Sequence, residues 1–168
     1  SRISRFPHYN DAAERNAESP LPGPIRLSQV KSVHVLVTAD TLSGTWTYTR
    51  ELVSGLVSRG LRVTLVSFGE IPLPQQTLWM ENLHGLEYCP TAFRLDWMEE
   101  GQQDLKDSSA YLAALVKELK PDVLHLNQLC YGDLPVPVPR AVVAHGALIT
   151  WWRAVHGREP RPDRLLEW

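Results

Sequence analysis

The sequence predicts an α/β fold built on an open, doubly wound, mostly parallel sheet, and three observations predict it. Short apolar runs rich in β-branched residues recur along the 168 residues, as expected of strands buried on both faces. Segments with apolar residues at helical spacing alternate with those runs. Clusters of Gly, Pro, Asp, Asn and Ser punctuate the joins. Strands that alternate with helices pair in parallel through right-handed crossovers, which is the arrangement of a doubly wound sheet.

Each element follows in order. Residues 1–30 are polar and carry Pro20, Pro22 and Pro24, which predicts a flexible or surface-draped leader, with the folded domain over 31–168. Val33–Thr38 is a continuous apolar run and the first strand. From Thr45 to Arg59, Leu52, Val53, Leu56 and Val57 form an apolar stripe, and Gly60 supplies the helix C-cap. "LRVTLVSF" is the second strand and "LEYCP" a weaker third. Asp104–Lys120 reads as a helix through Leu112, Leu115, Val116 and Leu119, ended by Pro121. "DVLHLN" is the fourth strand, and after the proline-rich "LPVPVPR" the fifth is "AVVAH", with His145 at its last position. In "RPDRLLEW", Asp163 resembles an N-cap, and Leu165, Leu166 and Trp168 resemble a first helical turn cut short, so the chain reads as a piece of a longer protein.

Composition excludes several classes. A hydrophobic content of 43% is that of an ordinary globular protein, and a net charge of −2 gives no electrostatic reason to expect nucleic acid or an anionic membrane. No apolar segment approaches the roughly 20 residues that span a bilayer, and the N-terminus lacks the apolar centre of a secretory signal. Cys89 and Cys130 have no metal-ligand spacing and are expected as buried, inert thiols, compatible with a cytoplasmic setting.

In doubly wound sheets, ligands bind outside the carboxyl ends of the strands, so those ends carry the candidate site. After the first strand come Ser43, Gly44, Thr45 and Trp46. Gly44 is able to take positive φ and to admit a ligand closely, and the first amides of the following helix offer donors to a phosphate; a plain Ser/Thr cap is the competing reading. There is neither a G-x-G-x-x-G nor a G-K-[ST], which removes most of the support for NAD, FAD and P-loop nucleotides. Asn127 and Gln128 end the fourth strand, where amides can hydrogen-bond sugar hydroxyls, while His125 inside it reads as a core histidine. His145 ends the fifth strand and is followed by Gly146, so its imidazole is expected to face the same crevice as Gly44. Trp151 and Trp152 read as packing residues, and Arg153 as part of a solvated loop.

Taken together, these positions resemble the N-terminal domain of GT-B glycosyltransferases of the GT4, glycogen-synthase-like group. The likeness runs over about residues 31–168: the Ser-Gly loop with "TYTRELVSGLVSRGLRVTLVS", then "LKPDVLHLNQ", then "PRAVVAHGALITWW", then "VHGREPRPDRLLEW". The resemblance implies a Rossmann-like half that ends before its last strand and forms the acceptor side of a cleft. It also implies retaining transfer of a sugar, of hexosyl type, from a nucleotide-sugar donor to a small-molecule or glycan acceptor. Neither metal nor cofactor is expected, and the partner is a C-terminal GT-B domain outside these residues, without which this chain is expected to be inactive. His145 takes the catalytic role, contacting the transferred sugar or diphosphate; Ser43, Gly44, Thr45, Trp46, Asn127, Gln128 and Gly146 take substrate-binding roles.

Two departures stand out. Ser43 precedes Gly44 where the group commonly has two glycines, and Gly60-Leu61-Arg62 has leucine where histidine is frequent. Nothing resembles the basic pair or the E-x7-E element of the donor-binding domain. A non-catalytic binding or assembly module of the same fold, and a sugar-nucleotide epimerase of similar topology, are the alternative readings.

Overall fold

A computed structural model describes residues 31–98, 101–146 and 148–161. Its frame begins with β1, His34–Asp40, whose seven residues are all buried. Alternation along this strand sends its side chains into two separate cores. Val35, Val37 and Ala39 join Val63 and Leu65 of β2 (Arg62–Phe68) and Val53 of α1 (Thr45–Ser58). Leu36 joins Val66 and Phe68 on the other face, with Leu112 and Val116 of α3 (Gly101–Leu119). The uniform apolar runs in the sequence thus reflect strands covered on both sides.

Among the described residues, three further strands join the sheet: β3 (Leu86–Pro90), β4 (Val123–Leu126) and β5 (Arg140–Val142). The spatial order is β3-β2-β1-β4-β5, with every pair parallel. From β1 the chain moves through α1 to β2 on one side; from β3 it returns through α3 to β4 on the other side of β1. The connections therefore diverge between β1 and β4, which opens a crevice at their carboxyl ends.

Local chemistry sets the boundaries. Helix α1 ends in a Schellman motif: Gly60 adopts φ +82°, its amide donates to the Val57 carbonyl at 2.9 Å, and the Leu61 amide donates to the Leu56 carbonyl at 3.2 Å. Helix α3 is described from Gly101, three residues before the start the sequence suggested, and Asp104 in its first turn accepts from the Arg94 amide at 2.7 Å. A four-residue helix not expected from the sequence, α2 (Pro74–Thr77), lies between β2 and β3, and α4 (Leu148–His156) follows β5. Strand β5 is shorter than expected, so His145 lies three residues beyond it. Its neighbour β4 stops at Leu126, and the Val143 amide, donating to the Leu126 carbonyl at 2.8 Å, uses the last rung. The expected leader over 1–30 and the expected helical turn at Asp163, Leu165, Leu166 and Trp168 lie outside the described residues.

Both thiols are half-buried and free. Burial raises the pKa of Cys89 and of Cys130, with the Asp96 carboxylate adding to the rise at Cys130, so neither is a ready thiolate. Trp152 is half-buried with its ring 3.9 Å from that of His156, but Trp151 is exposed, so the packing reading does not hold for it. Arg153 makes an exposed pair with Glu159 at 2.9 Å.

Two measurable consequences follow from this packing. A Cβ added at Gly101 meets the Leu95 backbone carbonyl at 2.6 Å, so Gly101→Ala forces the chain at the start of α3 to shift. Denaturant unfolding is expected to show a loss of about 1–3 kcal/mol; an unchanged midpoint would contradict this contact. The second consequence concerns His34. Arg62, which can only donate, approaches its Nδ1 at 3.0 Å, so Nε2 carries the proton and donates to Thr64 Oγ1 at 2.9 Å. Burial, then the Arg62 charge, lowers its pKa from 6.5, and burial lowers that of His125 as well. The unfolded chain therefore binds more protons just below pH 6.5, and stability is expected to fall as pH drops from about 6.5 toward the depressed folded values. Replacing His34 by Gln is expected to flatten that slope in a pH series of thermal melts.

Candidate functional site

The site forms around the turn from β1 into α1. Asp40 Oδ1 accepts from the Leu42 amide at 2.6 Å and folds the loop back on itself, and Thr41 Oγ1 donates to the Glu70 carbonyl at 2.8 Å, tying it to the end of β2. Ser43 then starts the helix: its hydroxyl accepts from the Thr45 amide at 3.2 Å and its carbonyl from the Trp46 amide at 3.1 Å. Two of the amides expected to point free donors at a phosphate are thus already engaged. Gly44 is the N-cap with φ −57° and ψ −15°, ordinary right-handed values, so the positive φ open to a glycine is not used here. A Cβ there meets nothing within 4 Å; the space in front of the loop is open.

One turn further on, the helix presents Thr45 and Thr49, both buried, and the exposed Tyr48. The Tyr48 amide donates to the Gly44 carbonyl at 3.3 Å, which places Tyr48 one helical turn past the loop. The Tyr48 ring lies edge-on to the His145 imidazole with centroids 4.7 Å apart, and stacks near His125 at 6.2 Å. Tyr48 Oη is 3.4 Å from His125 Nε2. The structure therefore brings together the first turn of α1 and His145, which stand about 100 positions apart in the chain. His125 is a half-buried wall of this group and not the enclosed core histidine the sequence suggested. Burial depresses its pKa first; contact with the Asn127 amide works against that, and the nearby His145 adds to it.

Asn127 is the junction. It is buried, its backbone amide donates to Thr38 Oγ1 at 3.0 Å, and its side-chain Nδ2 donates to the Thr38 carbonyl at 2.7 Å and toward Thr49 Oγ1 at 3.4 Å. His145 Nε2 approaches its Oδ1 at 2.8 Å. An amide expected to reach for a sugar instead holds β1, β4, α1 and His145 to one another. Gln128, next in the chain, behaves differently. The residue is 8% exposed, both polar atoms of its side-chain amide are buried, and among the described residues neither has a hydrogen-bond partner. Such a group is costly unless something else satisfies it. Gly146 is exposed beyond His145 with open space around it. Trp46 stands apart from this group: it packs against Trp79 at 6.1 Å and Tyr88 at 6.3 Å and lines a cavity of about 350 Å³ with Arg50 and Gln76.

Thr38, Tyr48 and Thr49 were not singled out from the sequence. Thr45, Tyr48 and Thr49 do share the i, i+3, i+4 spacing that leads into Leu52 and Val53, so hydroxyls at would-be apolar positions were the available signal. Among the described residues there is no cluster of three or more His, Cys, Asp or Glu able to hold a metal ion, and no helix is long and apolar enough to cross a membrane.

Comparison with solved structures finds this fold in glycosyltransferases. A UGT transferase from Siraitia grosvenorii in complex with UDP matches with a TM-score of 0.53 at 17% identity, over 76% of this chain and 33% of its own. The UDP complex of LpCGTa matches with a TM-score of 0.55 at 11% identity, over 75% of this chain and 33% of its own. A glycosyltransferase from Rickettsia africae matches with a TM-score of 0.50 at 11% identity, over 74% and 34%. The chain thus spans about a third of the length of these proteins. No curated protein sequence matches it. The model of the glycosyl transferase 4-like domain matches residues 43–168, from the Ser-Gly loop onward. The chain belongs to the glycosyl transferase 4-like family, and its five-stranded Rossmann-like sheet is the fold of GT-B glycosyltransferases.

Proposed function

We propose that this chain forms the acceptor side of the cleft in a retaining glycosyltransferase that moves a hexosyl group from a nucleotide sugar to a small molecule or glycan. The observation that carries the reading is the meeting of His145 with the first turn of α1, 4.7 Å from Tyr48, at the diverging ends of β1 and β4. A group held at the switch point of a parallel sheet is where a substrate of this fold class is bound. The open space before Gly44 suits the approach of the donor diphosphate, and the α1 N-terminus adds a favourable partial charge. A second GT-B domain supplies the donor base and ribose contacts in this reading, and no cofactor is called for.

The chemistry then rests on positioning. In a front-face transfer the leaving phosphate helps to take the acceptor proton, while the protein orients the two substrates and stabilises charge as the glycosidic bond breaks. His145 contacts the transferred sugar or the diphosphate. Ser43 and Thr45 shape the loop in front of it, and the buried Gln128 amide, which has no partner among the described residues, gains one where its side chain turns outward to an acceptor hydroxyl.

Two substitutions test the reading in a protein that joins this chain to a donor-binding domain, with nucleoside diphosphate release as the assay. His145→Ala is expected to lower kcat by about 100-fold, the scale of losing one transition-state contact; unchanged transfer removes His145 from the mechanism. Gln128→Met exchanges an unsatisfied amide for an apolar chain of similar length. It is expected to leave the thermal midpoint unchanged or higher, while the acceptor KM rises roughly 5- to 10-fold. A lower midpoint with an unchanged KM would assign Gln128 to the fold alone.

A further inference from the structure

The hydrogen bonds of Asn127 fix more than a distance. The Thr38 carbonyl can only accept, so the side-chain atom 2.7 Å from it must be the amide nitrogen, Nδ2. The Nδ2 protons are directed at that carbonyl and at Thr49 Oγ1. The atom facing His145 is therefore the amide oxygen, Oδ1, which also can only accept. At 2.8 Å the partner Nε2 must carry a proton. A neutral imidazole protonated on Nε2 has its lone pair on Nδ1.

We propose that Asn127 is a positioning residue that locks His145 in the Nε2–H tautomer, so that Nδ1 is the one atom of this imidazole able to accept a proton or a hydrogen bond. The lock is anchored in the centre of the sheet, since Asn127 is itself held through Thr38, a fully buried residue of β1. Tyr48, edge-on at 4.7 Å, limits rotation of the ring about the same bond. His145 is exposed and lies beyond the end of β5, so without these two contacts no regular structure would define its orientation. The assignment deepens the reading of His145 as a substrate-contacting group and rests on it in one respect only. In that reading Nδ1 accepts from a sugar or acceptor hydroxyl; Nε2 is engaged by the protein.

The test is a histidine-selective ¹H–¹⁵N spectrum of the 168-residue chain without substrate, at pH 8 where ordinary imidazoles are neutral. A water-protected Nε2–H resonance for His145 with a non-protonated Nδ1 is expected. In Asn127→Ala, that resonance is expected to be lost to solvent exchange, with both tautomers populated. A protonated Nδ1 in the unmodified chain overturns the proposal without recourse to any variant. Persistence of the protected Nε2–H in Asn127→Ala also overturns it, because the proton then has another acceptor. Since no substrate is present, absence of sugar transfer leaves the tautomer result standing. Transfer by a protein whose His145 is Nδ1–H refutes the lock alone.

Discussion

The structure turns on one buried amide. Asn127 ends β4, and in place of the next ladder bond it gives its backbone and side-chain N–H groups to Thr38 in the middle of the sheet. That exchange stops β4 at Leu126, and with β4 stopped, β5 has nothing to pair with beyond Val143. The chain past β5 is then free to turn His145 back over the ends of β1 and β4, where the oxygen of the same amide receives it. Removing both partners of a buried hydrogen bond can be nearly neutral, but removing one leaves the other unsatisfied in a low-dielectric interior. Thr38, Thr49, Asn127 and His145 are for that reason coupled, and the ends of the strands are fixed by the polar network as much as by the apolar cores beneath it.

Much of the frame was legible in the sequence, because it follows from patterns with a period. Val35, Val37 and Leu36 lie in an unbroken apolar run and go to opposite faces of one sheet; Leu112 and Val116 are one helical turn apart and both buried; Gly60 takes the positive φ that a helix C-cap demands. What depends on a neighbour was not legible. The length of β5 is set by where β4 stops, and the carboxylate of Asp104 in the first turn of α3 is engaged by the amide of Arg94, ten residues earlier. The short α2 has no apolar period to betray it.

At the candidate site, the same division holds. The strand ends pointed to two segments that do come together, since His145 meets the first turn of α1. The roles within those segments were harder to read. Gly44 is able to take either sign of φ, and here it sits in the right-handed region with open space before it. An amide at a strand end is chemically suited both to a sugar and to its own protein: Asn127 turned inward, while Gln128 has no partner among the described residues. Trp46 belongs to an aromatic group with Trp79 and Tyr88. Hydroxyls and amides carry no periodic signal, so their partners emerge only once the chain is folded.

The central claim is that a sugar-transfer site lies where the ends of β1 and β4 part beneath His145. A crystal structure of the protein with a donor-binding domain and a non-transferable nucleotide-sugar analogue tests it most directly. The account predicts the transferred sugar within hydrogen-bonding distance of His145 and the diphosphate in front of Gly44. A sugar bound away from these strand ends, with His145 facing only solvent, would contradict it.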